Sequence, residues 1–263
     1  NKRDILSIPI IEGGRLVGLS LLNEELIDTP KHENPVFIMA GGFGTRLRPL
    51  TDDCPKPMLK VGDKPMLETL ILNFKKAGFS NFYISTHYLP AVIHDYFGDG
   101  SKHGVSINYV HEDSPLGTGG ALGLLPNDLP DLPIILMNGD VLTTINFEKV
   151  LAFHSSHNPA ATMCVREYEY QVPYGVIEGE GHKISSMIEK PVQRFFINAG
   201  IYVIGQSMLK SVSKNEKIDM PTLLERYISR GEDVLKFSVH EYWLDIGRME
   251  DFNKAQKDIL GLV

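Results

Sequence analysis

A glycine-rich segment beginning near residue 40 has the residue types and spacing that bind phosphate groups. Its centre, Gly41-Gly42-Phe43-Gly44, follows directly after an apolar run over 36–40, which predicts a strand. Glycines let the backbone approach phosphate oxygens and direct N–H groups at them. Thr45 and Arg46 add a hydroxyl and a guanidinium that can bind phosphate through two hydrogen bonds. The nucleotide-binding residues predicted here are Ala40, Gly41, Gly42, Gly44, Thr45 and Arg46.

Two common phosphate-binding loops are excluded by the spacing. No Gly-Lys-Ser/Thr follows the glycines, as it would in a Walker loop, and the pattern is not Gly-x-Gly-x-x-Gly. An ordinary glycine turn beside a surface arginine is therefore the alternative interpretation.

Two aspartates far apart in the sequence could hold a metal ion. Asp140 closes the run Leu136-Met137-Asn138-Gly139-Asp140, and Asp245 lies in Trp243-Leu244-Asp245-Ile246-Gly247-Arg248. A carboxylate at the carboxyl end of a parallel strand lies where open α/β sheets bind ligands. Carboxylate oxygens are hard donors that suit Mg²⁺. The alternative is that each aspartate caps a helix or a turn.

The elements that must position these residues alternate between strand and helix up to about residue 160. Short apolar runs predict strands over 82–85, 105–110 and 133–137, and periodic apolar positions predict helices over 66–77 and 90–97. This order predicts right-handed βαβ units and a mostly parallel sheet. Gly78 is the expected end of the first helix.

After residue 160 the predicted strands lie closer together. They cover 162–165, 175–178, 184–188 and 196–204, which indicates an antiparallel or mixed region. Asp219 is expected to cap a helix that contains Pro221 in its first turn and ends at Arg230, and a last helix covers about 249–260. His154 and His157 could pair on a metal, but nothing nearby completes a tetrahedral site, so we expect surface or helix-end histidines.

Composition limits the possible functions. The 263 residues include 26 Lys and Arg against 33 Asp and Glu, and the formal net charge of −7 argues against a nucleic-acid or membrane-surface partner. It leaves a polyanionic small substrate possible, because local arginines and lysines can reverse the field in one cleft. The hydrophobic fraction of 43% allows a large core and excludes global disorder.

Cysteine content and apolar runs bear on the compartment. Two cysteines, Cys54 and Cys164, are too few for a disulfide scaffold and fit a reducing environment. No apolar run reaches the roughly 18 residues of a membrane span, and no signal peptide is visible. We therefore expect a cytoplasmic protein, and the first residue, Asn1, indicates that the chain begins inside a longer one.

The glycine-rich segment belongs to a longer pattern that resembles a known family. It continues as Thr45-Arg46-Leu47-Arg48-Pro49-Leu50-Thr51 and then Pro55-Lys56-Pro57-Met58, and residues 36–61 resemble the signature of the sugar-1-phosphate nucleotidyltransferases, or nucleotide-sugar pyrophosphorylases. The resemblance covers about 36–260. It implies an α/β, Rossmann-like fold with a mostly parallel or mixed sheet flanked by helices and a β-rich sugar-binding insertion.

The resemblance also implies a reaction and roles for individual residues. An NTP and a sugar-1-phosphate would give an NDP-sugar and pyrophosphate by in-line attack, with Mg²⁺ on Asp140 and Asp245. Arg46 would hold the departing phosphates, while Lys56 and Lys190 would meet the α-phosphate and the sugar phosphate. The implied sugar-phosphate-binding residues are Tyr174, Gly175, Glu189, Lys190 and Asn198.

The segment around Glu112 matches the base-recognition region of this family, with Gly117 and Thr118 as further nucleotide-binding residues. A carboxylate accepts hydrogen bonds but cannot donate them, and guanine offers N1–H and N2–H₂ on one edge, so Glu112 favours GTP. Thymine or uracil would prefer an amide, and a dTTP- or UTP-using enzyme remains an alternative. Another is that Glu112 faces solvent while backbone groups choose the base.

The N-terminal segment shows a different pattern. Two apolar runs flank Glu12-Gly13-Gly14-Arg15, which predicts a hairpin. The segment resembles the last strands of a CBS domain, which implies adenine-nucleotide regulation through a missing region; a family-specific extension is the alternative. We expect a partial CBS-like segment over 1–30, a linker over 31–35 and a nucleotidyltransferase domain over 36–263.

Three further expectations complete the interpretation. A homo-oligomer is expected. A non-catalytic subunit that binds nucleotide sugars is disfavoured because Arg46, Lys56, Asp140, Lys190 and Asp245 are all present. A transferase for a non-sugar phosphate is disfavoured by the Glu189-Lys190 and Asn198-Ala199-Gly200 motifs.

Overall fold

The computed structural model describes residues 7–21 and 31–261. Its contacts divide the chain into two compact units, Asn1–Lys31 and His32–Val263. In the first unit, β1 (Ser7–Glu12) and β2 (Arg15–Leu21) pair antiparallel, so the predicted hairpin is present. Whether this hairpin belongs to a CBS-like module stays a prediction.

The second unit contains the remaining strands and helices. Its strands are β3 (Val36–Met39), β4 (Lys60–Val61), β5 (Lys64–Pro65), β6 (Asn81–Thr86), β7 (Ser106–His111), β8 (Ile134–Asn138), β9 (Val141–Thr143), β10 (Ala161–Gln171), β11 (Val176–Glu180), β12 (Lys183–Ile188), β13 (Val192–Ile204), β14 (Val234–Val239) and β15 (Trp243–Asp245). Its α-helices are α1 (Met66–Lys76), α2 (Pro90–Phe97), α3 (Gly117–Gly120), α4 (Phe147–His157), α5 (Gln206–Ser211), α6 (Met220–Ile228) and α7 (Met249–Asp258).

A seven-stranded sheet with the order β14-β10-β13-β8-β3-β6-β7 forms the centre of this unit. Only β13 runs against the other six strands of this sheet, since β10 and β8 both pair with it antiparallel. The predicted α/β, Rossmann-like and mostly parallel architecture is confirmed.

The β-rich insertion is the part of β10 and β13 that extends beyond the neighbouring strands. β14 pairs with β10 only over Ala161 to Arg166, and β8 pairs with β13 only over Ile201 to Ile204. The remainder forms a two-stranded arm, which ends in the separate hairpin of β11 and β12.

Side-chain alternation along the central strands separates the core into two layers. On β3, Val36 and Ile38 face the layer that contains α1, whereas Phe37 faces the layer that contains α6. Strand residues point alternately to opposite faces, so a fully apolar strand indicates a sheet covered on both sides. A third cluster, around Leu47 and Ile246, packs the glycine-rich segment against α7.

Helix α1 follows from its sequence pattern. Its buried residues are Met66, Leu67, Leu70, Ile71 and Phe74, which recur at helical spacing. The helix ends in a Schellman motif, because Phe79 N donates to Phe74 O and Gly78 N to Lys75 O. The predicted end at Gly78, which has a φ of +86°, is confirmed.

His154 differs from the expectation for a surface residue. It lies in the last turn of α4, as a helix-end histidine should, but only 2% of it is exposed. Its Nδ1 lies 3.0 Å from Thr162 Oγ1 on β10, which packs against that turn. Burial lowers the pKa of His154 to about 4. No cluster of three or more His, Cys, Asp or Glu residues able to hold a metal occurs within 7–21 and 31–261.

None of the described helices is long and apolar enough to cross a membrane.

We expect His154 to make folding stability depend on pH. The unfolded histidine titrates near 6.5 and the folded one near 4, so between these values only the unfolded state binds the proton. Stability should therefore fall as pH falls from 6.5 towards 4, by about 1.4 kcal/mol per pH unit. Urea denaturation across this range measures the slope. His154→Gln should remove this component and His157→Gln should retain it; equal slopes in all three proteins would contradict the assignment.

Candidate functional site

A cavity of about 270 Å³ opens at the carboxyl ends of the central parallel strands. Met39 and Asn138, the last residues of β3 and β8, line it, as does Ser85, the last residue but one of β6. Because parallel strands present their carboxyl ends at one edge, the loops that follow them meet at this point. The other lining residues are Ala40, Gly41, Gly42, Phe43, Lys56, Pro57, Glu112, Pro115, Gly117, Thr118 and Asp140.

The glycines of the first loop differ in what a larger side chain would meet there. Gly44 has a φ of +63°, and a Cβ there would lie 3.0 Å from the side chains of Lys56 and Thr51, so this glycine closes the loop on itself. A Cβ on Gly41 would lie 3.0 Å from Glu112 Oε1, whereas one on Gly42 would meet nothing within 4 Å. The space beside Gly42 is therefore open to a ligand.

Thr45 and Arg46 follow in a short 3₁₀ turn, Thr45–Leu47. Leu47 is buried and fixes the turn. Thr45 and Arg46 are exposed, and neither is among the residues that line the cavity.

Lys56 and Asp140 form an ion pair on the cavity wall. The ammonium group contacts Asp140 Oδ2, and only 8% of Lys56 is exposed. The second oxygen of the same carboxylate, Asp140 Oδ1, is buried without a hydrogen-bond partner. Burial of a carboxylate oxygen costs free energy that a hydrogen bond normally offsets, and Asp140 Oδ1 has no such bond.

Asp245 is brought to the same place by strand pairing. β15 pairs antiparallel with β9, so Asp245 lies opposite Val141, and Ile246 N donates to Asp140 O at 3.1 Å. Asp245 keeps solvent contact, but the protein around its carboxyl group partly desolvates it and raises its pKa. The charge of Asp140 raises it further, while Lys56 and Arg46 act in the opposite direction.

These two carboxylates fit a divalent cation. Their mutual repulsion and the unpartnered Asp140 Oδ1 indicate a site that is short of positive charge. Mg²⁺ is commonly held by one or two carboxylates together with substrate phosphates rather than by a full set of protein ligands. A pair of aspartates is therefore a sufficient donor set.

Glu112 is buried, with 6% of its surface exposed, so the alternative that it faces solvent is wrong. Its Oε2 accepts the Leu116 N–H at 3.0 Å, and its Oε1 faces Gly41. His87 Nδ1 lies 2.7 Å from the Glu112 carbonyl oxygen, which fixes the start of this loop from the other side. The carboxylate lines the cavity and also shapes the loop that carries it.

The glycines after Pro115 are needed by the chain itself. A Cβ on Gly120 would lie 2.2 Å from Glu216 O, and one on Gly119 would lie 3.3 Å from Ile218 O. These glycines therefore make room for the backbone of residues 216–218. Gly117 and Thr118, by contrast, line the cavity, and nucleotide binding by these two residues stays a prediction.

The sugar-phosphate candidates lie on the arm. Tyr174, Gly175, Glu189 and Lys190 are exposed at its far end, where a Cβ on Gly175 would lie 3.0 Å from Glu189 Oε2. Asn198 lies nearer the sheet: its Nδ2 donates to Tyr202 Oη at 2.6 Å and its Oδ1 accepts Gly200 N–H. None of these five residues is among those that line the cavity in the described part of the chain.

Six lining residues were not among the predicted site residues: Met39, Phe43, Pro57, Ser85, Pro115 and Asn138. Asn138 is the polar end of the otherwise apolar β8, and Ser85 is a polar residue next to the end of β6, a signal that could have identified them. Gly200 has a φ of +68°, and a Cβ there would lie 2.6 Å from Asn138 Nδ2, so this glycine makes room for the asparagine. Phe43 is 46% exposed with its ring edge-on to His87, a position that no sequence pattern indicates.

The chain is similar to known proteins in sequence and in structure. The family model described as Nucleotidyl transferase matches residues 36–261. A mannose-1-phosphate guanyltransferase of Yarrowia lipolytica is 35% identical over 228 residues, covering 82% of this chain and 61% of that protein. A mannose-1-phosphate guanylyltransferase of Mycobacterium tuberculosis is 31% identical over 236 residues, covering 87% and 65%.

The chain thus spans about three fifths of the length of the first curated relatives it matches. Among solved structures, HddC from Yersinia pseudotuberculosis complexed with GMP-PN is similar, with a TM-score of 0.67 and 26% identity. That match covers 86% of this chain and 99% of HddC.

The two kinds of glycine can be separated by matched substitutions. Gly120→Ala would force a Cβ against the Glu216 carbonyl, a backbone atom that cannot move aside, and should lower the free energy of unfolding by about 2 kcal/mol or more. Gly42→Ala adds the same methyl group in open space and should change it by less than about 0.5 kcal/mol. Guanidinium denaturation measures both; equal losses would refute the distinction.

Proposed function

The chain belongs to the nucleotidyl transferase family, and we propose that it transfers a nucleotidyl group from an NTP, with GTP favoured, to a sugar-1-phosphate. The products are an NDP-sugar and pyrophosphate. The observation that carries this proposal is the meeting of the glycine-rich loop, the Lys56–Asp140 pair, Asp245 and Glu112 around one cavity and its rim.

The chemical problem in this reaction is repulsion between two polyanions. The oxygen of the sugar phosphate attacks the α-phosphorus of the NTP, and the bond to the bridging oxygen of pyrophosphate breaks. A phosphate monoester has a second pKa near 6, so the attacking group is already anionic at pH 7 and needs no general base. Catalysis then consists of positioning and charge neutralisation.

Positioning and charge neutralisation would fall to different residues of the site. Arg46 and the amides of 41–45 would hold the departing β- and γ-phosphates, and Lys56 would contact the α-phosphate. Asp140 and Asp245 would hold Mg²⁺, whose charge when bound neutralises phosphate oxygens. The ion pair with Asp140 supports this role for Lys56, because it fixes the ammonium group at the cavity wall before any ligand arrives.

The preference for GTP rests on Glu112. Its carboxylate is buried in the cavity lining, where it presents acceptors only. Guanine offers two N–H groups on one edge, whereas thymine and uracil offer one N–H between two carbonyls. The guanylyltransferase names of the curated relatives and the GMP-PN complex of HddC support the same base.

The arm is the proposed sugar side of the site. β10 and β13 extend past the edge of the sheet where the parallel strands end and the cavity opens. The arm that they form carries Tyr174, Gly175, Glu189, Lys190 and Asn198. In this assignment Glu189 would bind sugar hydroxyls and Lys190 the sugar phosphate.

The proposal extends to the organisation of the whole chain. We retain a nucleotidyltransferase domain over 36–263, a linker over 31–35 and a partial CBS-like segment over 1–30. A homo-oligomer, a cytoplasmic location and regulation by adenine nucleotides through a region outside this chain are part of the same proposal.

The experiment that tests the function is pyrophosphate release with Mg²⁺. Four NTPs would be combined with the 1-phosphates of mannose, glucose, glucosamine, N-acetylglucosamine and a heptose. Release with GTP and one sugar supports the proposal and identifies the sugar. Release with dTTP or UTP alone would keep the reaction and overturn the base, and no release with any pair would contradict the enzymatic proposal for this chain.

Loss of one charged group should slow the reaction strongly. Arg46→Ala or Asp140→Ala should lower kcat by about 10²–10³, because a preorganised charge donor or its anchor is removed. Arg230→Ala and Asp131→Ala, which change exposed residues outside the cavity lining, serve as matched controls and should keep full activity. Steady-state kinetics decide; near-normal turnover of either site variant would refute its role.

Glu112→Gln should weaken the preference for GTP. The amide keeps the side-chain shape and can still accept the Leu116 N–H, but it replaces one acceptor by a donor facing the base. We expect the ratio of kcat/KM for GTP over UTP to fall by about tenfold or more. The measurement is competition between the two nucleotides, and an unchanged ratio would show that Glu112 does not read the base.

A further inference from the structure

The loop that lines the proposed base side of the cavity is held by two carboxylates. Glu112 Oε2 accepts the Leu116 N–H at 3.0 Å, and Asp219 Oδ1 accepts the Thr118 N–H at 3.0 Å. One anchor comes from the start of the loop itself. The other comes from a distant part of the sequence, immediately before α6.

Asp219 occupies the cap position of α6 but does not cap that helix with its side chain. Instead, the side chains of Asp219 and Thr118 each accept a backbone N–H from the other segment. Thr118 Oγ1 accepts the N–H of Met220 at 2.9 Å, and Asp219 accepts the N–H of Thr118. The expectation that Asp219 caps its own helix is corrected in this respect, while Pro221 lies in the first turn as expected.

Backbone hydrogen bonds extend this exchange on both sides. Gly119 N donates to Ile218 O at 2.9 Å, and Ile218 N donates to Leu116 O at 2.9 Å. Gly117, with a φ of +80°, would place a Cβ 2.7 Å from both Asp219 Oδ1 and Ile218 O. The position of Gly117 and Thr118 at the cavity is therefore set by the segment that precedes α6.

Polar contacts, rather than core packing, fix this part of the loop. Thr118 is exposed and Gly117 half-buried, so an N–H freed from Asp219 can bond to water at little cost in folding stability. Loss of the contact would instead weaken ligand binding, because a loop that moves must be ordered again when a ligand binds.

We propose that Asp219 is a positioning residue for nucleotide-base recognition. It touches no reacting group; it holds Thr118 and Gly117 at the distance from Glu112 that the base requires. The inference rests on the proposed function, since it assumes that the ligand in this cavity is an NTP whose base lies against residues 112–118.

The test compares Asp219→Ala with Asp219→Asn, which retains an acceptor oxygen, and with Asn146→Ala as a matched control. Asn146 caps α4 by accepting the Lys149 N–H at 2.9 Å and is not among the residues that line the cavity. GTP and UTP binding would be measured by calorimetry. The KM of each substrate, kcat and the thermal midpoint would be measured alongside.

Asp219→Ala should raise the Kd and KM for GTP about tenfold and lower the GTP-to-UTP preference. The KM for the sugar-1-phosphate should stay unchanged, and kcat should stay within about threefold. Asp219→Asn should restore the GTP values. Asn146→Ala should lower only the thermal midpoint, as loss of a helix cap does.

Three results would overturn the inference. One is wild-type GTP affinity and base preference in Asp219→Ala. Another is an Asp219→Asn protein as impaired as the alanine variant, because charge rather than the acceptor would then matter. The third is a wild-type protein that binds no nucleotide. A wild type that binds GTP but releases no pyrophosphate refutes the proposed function alone, because the binding comparison still decides the role of Asp219.

Discussion

The site is organised around two like charges that the fold forces together. Pairing of β15 with β9 brings Asp245 next to Asp140, although the two residues are widely separated along the chain. The repulsion is offset in part by Lys56 and Arg46, each delivered by the loop after β3. The third hydrophobic cluster holds that loop against α7 and so keeps all four groups within reach of one another. The mutual repulsion and the unpartnered Asp140 Oδ1 leave this part of the site short of positive charge.

The wall formed by residues 112–118 is held by acceptor groups. Leu116 N donates to Glu112 Oε2, and Thr118 N donates to Asp219 Oδ1. The other oxygen of Glu112 faces Gly41, so this wall meets the glycine-rich loop directly. Lys56 lines the same cavity and is paired with Asp140, so the cavity brings carboxylates and an ammonium group close together.

Local patterns in the sequence predicted the fold and several of the residues that line the cavity. Helical spacing of apolar residues and a following glycine predicted α1 and its end, and alternation of strands and helices predicted the parallel sheet. What sequence could not supply were contacts between distant segments. The burial of His154 depends on Thr162 of the next strand, and the need for Gly119 and Gly120 depends on residues 216–218. Asp219 shows the same limit, because its cap position was predictable but its bond to Thr118 was not.

The arm formed by β10 and β13 has a consequence for how this molecule can change over evolutionary time. Its outer part contributes little to the two core layers, since Tyr168, Tyr170 and Phe195 are each about half exposed. Substitutions there carry a small penalty in folding free energy, because surface positions tolerate most replacements. The cavity floor is different, since its side chains are held by the sheet itself. Selection can therefore remodel the outer arm while the cavity floor stays constant, and one scaffold can diversify without first being stabilised.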